Sequence, residues 1–369
     1  MWVELQINIF MCFLLILTLI HGCYKLNTGK ETYKYFLITK SLIIFIMCLE
    51  CVSVILNGCS FSSYIVIVNK ITNVLGFLLT PVIPFLYWLF LTSWLDIRGN
   101  FKIIESIFAI LVILNGVLSI LSYKFNLIFT VLDNGVYERG PLFFSNGCIC
   151  ILIISGCCYI ILKEFKFLST EERWVFSLNL LVPCLLSSIQ ISKFKVLTIW
   201  SSCGIICILT YIFLLNDKSK KDPLTGLLNR QVYYDEINKI SKGKYKKLSI
   251  INIDIDKFKS INDKYGHAEG DFALIGLSSI LLRIFRGCGE VIRIGGDEFL
   301  IFLYEDSPSK IQRLMDILLE ELDIYNKNMD KEYCIQISYG VKVFNYDDIN
   351  IKDALVECDR LMYKNKLKK

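Results

Sequence analysis

The sequence has only two histidines, His21 and His267, and very little charge in its first 216 residues. So few histidines argue against a Cys–His zinc centre, because such a site needs four converging nitrogen or sulfur ligands. Residues 1–216 hold 14 basic and 10 acidic side chains, whereas residues 217–369 hold 26 and 25. The two stretches therefore suit different solvents, which excludes a single soluble enzyme, a secreted disulfide scaffold and a disordered chain.

A large excess of one charge sign is also missing, since the net charge is only +5. Neither part resembles a polycation that holds nucleic acid, and we expect no nucleic-acid partner. Most of the fifteen cysteines lie in apolar runs, where cysteine behaves as a small hydrophobic residue. Cys48 and Cys51 have a zinc-like spacing but no second pair beside them, so we interpret them as packing residues.

Long hydrophobic runs are abundant in the first part. A membrane-spanning helix needs about 20 mostly apolar residues, and seven stretches qualify. The third stretch contains Pro81 and Pro84, where we expect a kink. Only Lys193–Lys195 separates the last two stretches, so both six and seven spans stay possible. The predicted spans are 5–23, 36–57, 65–92, 101–122, 142–162, 174–192 and 196–215.

Basic residues are concentrated in alternate loops of this part. Taken together, the loops 24–35, 93–101 and 163–173 and the exit after residue 215 carry more lysine and arginine than the loops between them. The positive-inside rule, applied to seven spans, then predicts a multi-pass protein of the cytoplasmic membrane, with the N-terminus outside and residues 217–369 in the cytoplasm.

Two features of the membrane part have open interpretations. Glu50 lies in an apolar span, where a carboxylate is costly, so it is either a ligand or relay residue or a neutral carboxyl bonded to a neighbouring helix. The loop 123–141 is either part of a sensory mouth or a plain polar turn. The sequence does not identify the ligand that is sensed.

Residues 217–369 alternate helical and strand-like patterns over about 150 residues, the size of one domain. The pattern predicts an α/β or α+β fold. Its predicted elements include a buried strand Leu248–Asp254, a helix Asp271–Phe285, the strands Val291–Ile294 and Phe299–Tyr304, and two strand-like runs around Gly340 within Tyr333–Phe344.

Four polar clusters lie between these elements: Asp222–Arg230, Asp254–Lys259, Asn262–Asp271 and Arg293–Phe299. Carboxylates at a strand end are costly to bury unless a metal ion or water faces them. Amides at a helix start can hold phosphate, and an amide with a carboxylate can read a base edge. Asp254 and Asp297 on adjacent strands could chelate Mg²⁺, as in two-metal phosphoryl transfer.

In these four clusters, residues 222–369 resemble the GGDEF family of diguanylate cyclases. The resemblance implies a sheet wrapped by helices, similar to the adenylyl cyclase and polymerase palm. It also implies that a homodimer condenses two GTP into cyclic di-GMP and two pyrophosphates, with one GTP on each of two facing domains. We therefore predict an α-helical membrane bundle of about seven spans, with a sensory role, at 1–216, a short linker at 217–221 and a GGDEF domain at 222–369.

The resemblance also implies roles for individual residues. Asp254 and Asp297 would bind Mg²⁺ or Mn²⁺ with help from the backbone carbonyl of Ile255, and Glu298 would be a further metal ligand or the base for the attacking 3′-hydroxyl. Asn262 and Asp271 would bind guanine, with Asp271 as a buried acceptor that favours GTP over ATP. The phosphates would contact the backbone amides of Lys257, Phe258, Lys259, Gly295 and Gly296 and the side chain of Lys366.

The sequence departs from the family pattern at the inhibitory product site, an Arg-x-x-Asp upstream of the signature. Arg286 is present, but Gly289 stands where the family has aspartate. We therefore expect weak or no feedback inhibition. Two other functions stay open, a catalytically silent domain that binds GTP or cyclic di-GMP as a receptor, and a transporter or structural membrane protein with an attached regulatory domain.

Overall fold

The computed structural model describes residues 2–26, 30–59, 63–166, 168–191, 199–241, 247–345 and 350–367. The chain divides into two compact units, Met1–Leu215 and Asn216–Lys369. We call them the N-terminal unit and the C-terminal unit.

The N-terminal unit is helical, as its apolar runs predict. Among the described residues, six helical segments are long and apolar enough to cross a membrane: Leu5–Lys25, Glu31–Leu56, Tyr64–Trp94, Arg98–Phe125, Phe143–Lys163 and Ile199–Ser219. The helices are α1 (Trp2–Lys25), α2 (Glu31–Leu56), α3 (Ser63–Leu79), α4 (Val82–Trp94), α5 (Lys102–Phe125), α6 (Phe143–Lys163), α7 (Thr170–Ile191) and α8 (Ile199–Ser219).

The predicted kink in the third span is confirmed, because α3 ends at Leu79 and α4 begins at Val82, directly after Pro81. The predicted sixth span corresponds to α7, which is not one of the six segments. Residues 192–198, which join it to the predicted seventh span, lie outside the described residues. The last helix, α8, continues to Ser219 and so includes part of the predicted linker.

Polar contacts tie the helices of this unit together. The amide of Asn8 in α1 donates to Glu50 in α2 (2.9 Å), and the hydroxyl of Ser201 in α8 donates to Asn8 (2.6 Å). Glu50 is therefore bonded to a neighbouring helix, and both interpretations of its role stay predictions. All fifteen cysteines are free thiols. The loop 123–141 forms a hairpin of β1 (Phe129–Val131) and β2 (Tyr137–Arg139).

The C-terminal unit is built on a four-stranded antiparallel sheet of order β4-β5-β3-β6. Its elements are α9 (Arg230–Ser241), β3 (Lys247–Ile255), α10 (Phe258–Tyr265), α11 (His267–Phe285), β4 (Gly289–Gly295), β5 (Glu298–Leu303), α12 (Pro308–Asn328), β6 (Ile337–Asn345) and α13 (Ile351–Lys366).

Side chains of β3 alternate between the two faces of this sheet. Ile251, Ile253 and Ile255 pack with α11 and α12, whereas Leu248 and Ile250 pack with α9 and α13. The prediction of a sheet wrapped by helices is confirmed. The prediction of two runs around Gly340 is wrong, because Ile337–Asn345 is one strand.

Candidate active site

The register of the sheet brings two acids face to face. Asp254 near the end of β3 pairs with Glu298 at the start of β5, and on its other side with Ser338 in β6. Asp254 is 7% exposed and shares its face of the sheet with Ile250, towards α13. Like charges at directly opposed positions destabilise a sheet, so this pair needs a neighbouring cation.

The third acid, Asp297, lies in the tight turn between β4 and β5, whose first residue, Gly296, has a φ of +56°. The predicted Gly-Gly hairpin is thus confirmed. Arg293 fastens the turn, because its Nε and Nη2 donate to the Gly296 carbonyl at 3.0 and 2.8 Å. Its Nη1 donates to Asp222 at 2.9 Å, which joins the first polar cluster to the hairpin.

Thr225 also bonds to Asp222, because its backbone amide and its hydroxyl donate at 2.9 and 2.7 Å to Oδ1, the oxygen that Arg293 contacts. Burial opposes ionisation of Asp222, but the bonds from Thr225 and Arg293 outweigh it and lower the pKa of this carboxyl below its usual value. The cluster therefore works as a charged anchor for the hairpin.

Helix α13 supplies the cation beside Asp254. A side chain at Gly340 would put its Cβ 2.1 Å from the Cys358 carbonyl oxygen and 2.6 Å from the Met362 nitrogen, so α13 can pack directly on β6 only because this residue is glycine. The helix then delivers Lys366, whose Nζ lies 2.5 Å from Asp254 Oδ1. Sequence reasoning assigned Lys366 to phosphates and missed this contact, since no local pattern links residues 112 positions apart.

The negative charges of Asp254, Asp297 and Glu298 repel one another, and burial together with this repulsion raises the pKa values of Asp254 and Glu298. Burial raises the pKa of Asp254 above its usual value, and the charge of Asp297 adds to this, although the Lys366 ammonium lowers it. Burial also raises the pKa of Glu298, with further contributions from Asp254 and Asp297. Burial works to lower the pKa of Lys366, but its bond to Asp254 outweighs that effect and the pKa is raised.

The donor chemistry of these acids fits a hard divalent cation. Asp254, Asp297 and Glu298 belong to the same end of the sheet, and Lys366 contacts Asp254. Among the described residues, no three His, Cys, Asp or Glu side chains converge into a complete protein metal site. Mg²⁺ commonly takes one or two carboxylates and completes its shell with water and substrate phosphates, so the arrangement agrees with a magnesium–nucleotide site.

Asn262 and the start of α11 are packed together. A Cβ at Gly270 would lie 2.0 Å from the side-chain oxygen of Asn262, so a larger residue there would have to displace this oxygen. This contact places Asn262 beside the residue that precedes Asp271. Asp271 itself is exposed on the solvent side of α11, and its role as an acceptor for guanine stays a prediction.

The residues expected at the phosphates lie in two turns. Lys257 precedes α10 with a φ of +54°, so Phe258 and Lys259 form the first turn of that helix. Gly295 ends β4 beside Gly296. A Cβ at Gly289, where the family pattern has aspartate, would lie 2.2 Å from the Phe302 carbonyl oxygen, so this backbone favours glycine there.

A comparison with family models decides the identity of the C-terminal unit. Residues 219–369 match the family described as "Diguanylate cyclase, GGDEF domain". Residues 219–369 form a GGDEF domain. This match confirms the fold and the family that were expected from the four polar clusters. Diguanylate cyclases of this family generally require a divalent metal ion.

Curated relatives align mainly with this GGDEF domain. The chain is 34% identical over 120 residues to diguanylate cyclase A of Treponema denticola, covering 32% of each chain. It is 31% identical over 153 residues to the probable diguanylate cyclase DgcJ of Escherichia coli, covering 40% of this chain and 29% of that one. An uncharacterized membrane protein of Staphylococcus epidermidis is 27% identical over 210 residues, or 55% of this chain and 56% of that one.

One similar solved structure is the coiled coil and GGDEF domain of DgcB from Caulobacter crescentus in complex with c-di-GMP. The match covers 46% of this chain and 91% of that chain, with 20% sequence identity and a TM-score of 0.41. The chain spans about a third of the length of the first two curated relatives. Their similarity supports a nucleotidyltransferase-type domain associated with cyclic di-GMP synthesis.

Proposed function

We propose that the chain is a membrane-bound diguanylate cyclase that condenses two GTP into cyclic di-GMP and two pyrophosphates. The observation that carries the proposal is the opposed pair Asp254 and Glu298, with Asp297 in the adjoining turn, inside a GGDEF domain. The presence of all three acids speaks against a receptor domain, because such a domain can lose them and still bind its ligand. The receptor function stays the second candidate.

In this proposal each acid has a distinct task. Asp254 and Asp297, with the carbonyl of Ile255, would hold Mg²⁺ or Mn²⁺, which supplies charge neutralisation for the triphosphate when bound. Glu298 would either join them as a ligand or accept the proton of the attacking 3′-hydroxyl. A carboxylate whose pKa is raised by burial and by neighbouring acids accepts a proton more readily near neutral pH, which favours the second task.

The remaining residues would position GTP. Asn262 and Asp271 would hydrogen-bond the guanine edge from α10 and α11, which their packing through Gly270 supports. The amides of Lys257–Lys259 and of Gly295 and Gly296 would bind phosphate oxygens. Lys366 would leave Asp254 and bind the distal phosphates of GTP, since its ammonium already lies at this end of the sheet.

The product contains two guanylates, so two GGDEF domains must face each other in a homodimer. Helix α8 ends at Ser219 and the GGDEF match begins at the same residue, which leaves no room for a coiled coil between them. We therefore assign dimerisation and gating to the membrane bundle. Residues 217–369 produced alone should then have low turnover when dilute; full turnover as a dilute monomer would contradict the gating.

The apolar helices and the loop charges support a multi-pass protein of the cytoplasmic membrane. With seven spans the N-terminus would be outside and the GGDEF domain in the cytoplasm, where GTP is available. Accessibility of single introduced cysteines to an impermeant thiol reagent, in a variant whose native exposed cysteines are replaced, would test this orientation.

The decisive experiment compares Glu298→Gln with the wild type and with Glu320→Gln, a control on the exposed face of α12. Full-length protein in detergent is incubated with GTP and Mg²⁺, and cyclic di-GMP is quantified by chromatography. We expect Glu298→Gln to lose about 10²–10⁴-fold of the turnover and Glu320→Gln to keep it. Wild-type protein that binds GTP without forming product would instead support the receptor function.

A further inference from the structure

A single glycine joins the two helices that carry the residues expected at guanine. Helix α10 ends at Tyr265 and α11 begins at His267, with Gly266 between them at a φ of +90°. Glycine adopts many backbone angles at little cost, so this junction does not by itself fix the angle between the helices. Asn262 lies on one side of it and Asp271 on the other. Their spacing therefore depends on packing and on contacts that other segments make with the two helices.

The loop 329–336, between α12 and β6, contacts the chain on both sides of this glycine. The hydroxyl of Tyr265 donates to the Glu332 carbonyl at 3.3 Å. The hydroxyl of Tyr333 donates to Glu269, whose carbonyl oxygen and Oε2 lie at 3.1 and 2.9 Å. The rings of the two tyrosines also pack together, with their centres 5.2 Å apart. One loop thus holds both the end of α10 and the start of α11.

Lys331 of the same loop makes a second contact with α11. Its Nζ lies 2.8 Å from Glu269 Oε1 and 4.8 Å from the ring centre of Phe272. Residues three apart share a helix face, so Lys331 contacts α11 directly before and directly after Gly270–Asp271. The bonds from Lys331 and Tyr333 lower the pKa of the Glu269 carboxyl below its usual value. Glu269 is therefore ionised at neutral pH, and its bonds to both partners are charge-assisted.

The loop is also fixed where it enters β6. The side-chain amide of Asn326 in α12 donates to the Ile335 carbonyl, and its side-chain oxygen accepts from the Ile335 backbone amide, both at 2.8 Å. Ile335 is fully buried in the core that the sheet forms with α11 and α12. The position of the α10–α11 junction is thus tied to the core of the domain.

We propose that the loop 329–336 positions Asn262 and Asp271 for guanine recognition. Tyr333 and Lys331 are the positioning residues, and they act through Glu269. The inference rests on the proposed nucleotide site and names the part of the fold that makes it selective. Guanine presents N1–H and a 2-amino group to a carboxylate, whereas hypoxanthine lacks the 2-amino group. A well-placed acceptor gains one more hydrogen bond with GTP than with ITP, and a displaced acceptor loses much of that difference.

The test compares the affinities of GTP and ITP for the full chain in detergent, measured by competition with a fluorescent GTP analogue. The reference chain and every variant carry Glu298→Gln, so that bound nucleotide is not consumed. Tyr333→Phe removes the hydroxyl and keeps the ring. We expect it to weaken GTP binding roughly 10-fold and ITP binding much less, so the GTP/ITP affinity ratio falls. Tyr325→Phe is the matched control and should keep the ratio, because its hydroxyl lies beside Gly276, further along α11.

A purely structural bond would lower the unfolding midpoint of Tyr333→Phe and leave the ratio unchanged, and that result would overturn the proposal. If Tyr333→Phe does not fold, Lys331→Met, which removes an exposed ammonium, is measured in its place with the same two outcomes. A reference chain that binds GTP and ITP equally would overturn the guanine contacts and this proposal together. Selective GTP binding by a chain whose wild type forms no cyclic di-GMP would overturn only the cyclase function.

Discussion

Gly270→Ala should weaken GTP binding without unfolding the GGDEF domain. The new Cβ would lie 2.0 Å from the Asn262 side-chain oxygen, and an ordinary contact begins near 3.4 Å, so this oxygen must move by about 1.4 Å. A misplacement of about 1 Å at a functional group can cost roughly 100-fold. We expect GTP affinity to fall about 10- to 100-fold, or about 1.4–2.7 kcal/mol.

The stability of this variant should change little, for two opposing reasons. Alanine is favoured over glycine inside a helix by up to about 1 kcal/mol. The clash with Asn262 opposes this gain, but its cost is small because the displaced oxygen is at the end of a side chain that can rotate away. Gly276→Ala in the same helix is the matched control, because its Cβ would lie 2.5 Å from the Tyr325 hydroxyl. That variant should lose about 1–3 kcal/mol of stability and keep its GTP affinity.

The assay is equilibrium binding of a fluorescent GTP analogue to the full chain, with thermal unfolding in parallel. Asn262→Ala should weaken binding to a similar extent, and the double variant Gly270→Ala/Asn262→Ala should be no weaker than either single change, because both act on one amide. Additive losses, or a Gly270→Ala protein that binds GTP normally while Asn262→Ala does not, would refute the reasoning.

Three further predictions concern the same domain. The ionised Asp222 carboxylate should stabilise the domain fully above its unfolded pKa of about 3.9, and this stability should be lost as the pH falls through its lower folded pKa. The melting points of the wild type and Asp222→Asn should therefore differ at pH 5 and converge in strong acid. Gly340→Ala should destabilise the domain by about 1–3 kcal/mol in chemical denaturation, because its Cβ meets the backbone of α13. Turnover should resist submicromolar cyclic di-GMP; inhibition that Arg286→Ala abolishes would contradict this.

Local patterns in the sequence identified much of the C-terminal unit. The strand at 248–254 was predictable because four of the six residues before Asp254 are leucine or isoleucine. The hairpin was predictable because Gly295 and Gly296 mark a tight turn. Helix α11 begins four residues earlier than predicted. Gly266, with a φ of +90°, lets the chain pass directly from α10 into α11, and a pattern of apolar residues does not reveal such a junction.

Long-range packing explains what the sequence could not reveal. Gly340 looked like a break between two strands, since glycine usually weakens a strand. The structure keeps the strand intact and uses the missing side chain to admit α13. The position of Lys366 beside Asp254 depends on that packing, and so does the contact of Asn252 with Asp359, in which the amide donates at 3.4 Å.

The site also works against the stability of the sheet that carries it. Asp254 and Glu298 occupy opposed positions where like charges cost stability, and burial adds to that cost. An amide at position 298 would relieve the repulsion while keeping the size of the side chain. A chain shaped for stability alone would not need acids at 254, 297 and 298 together. Three acids around one lysine therefore favour a cationic ligand at this edge, which would offset their repulsion and which the proposed cyclase function requires.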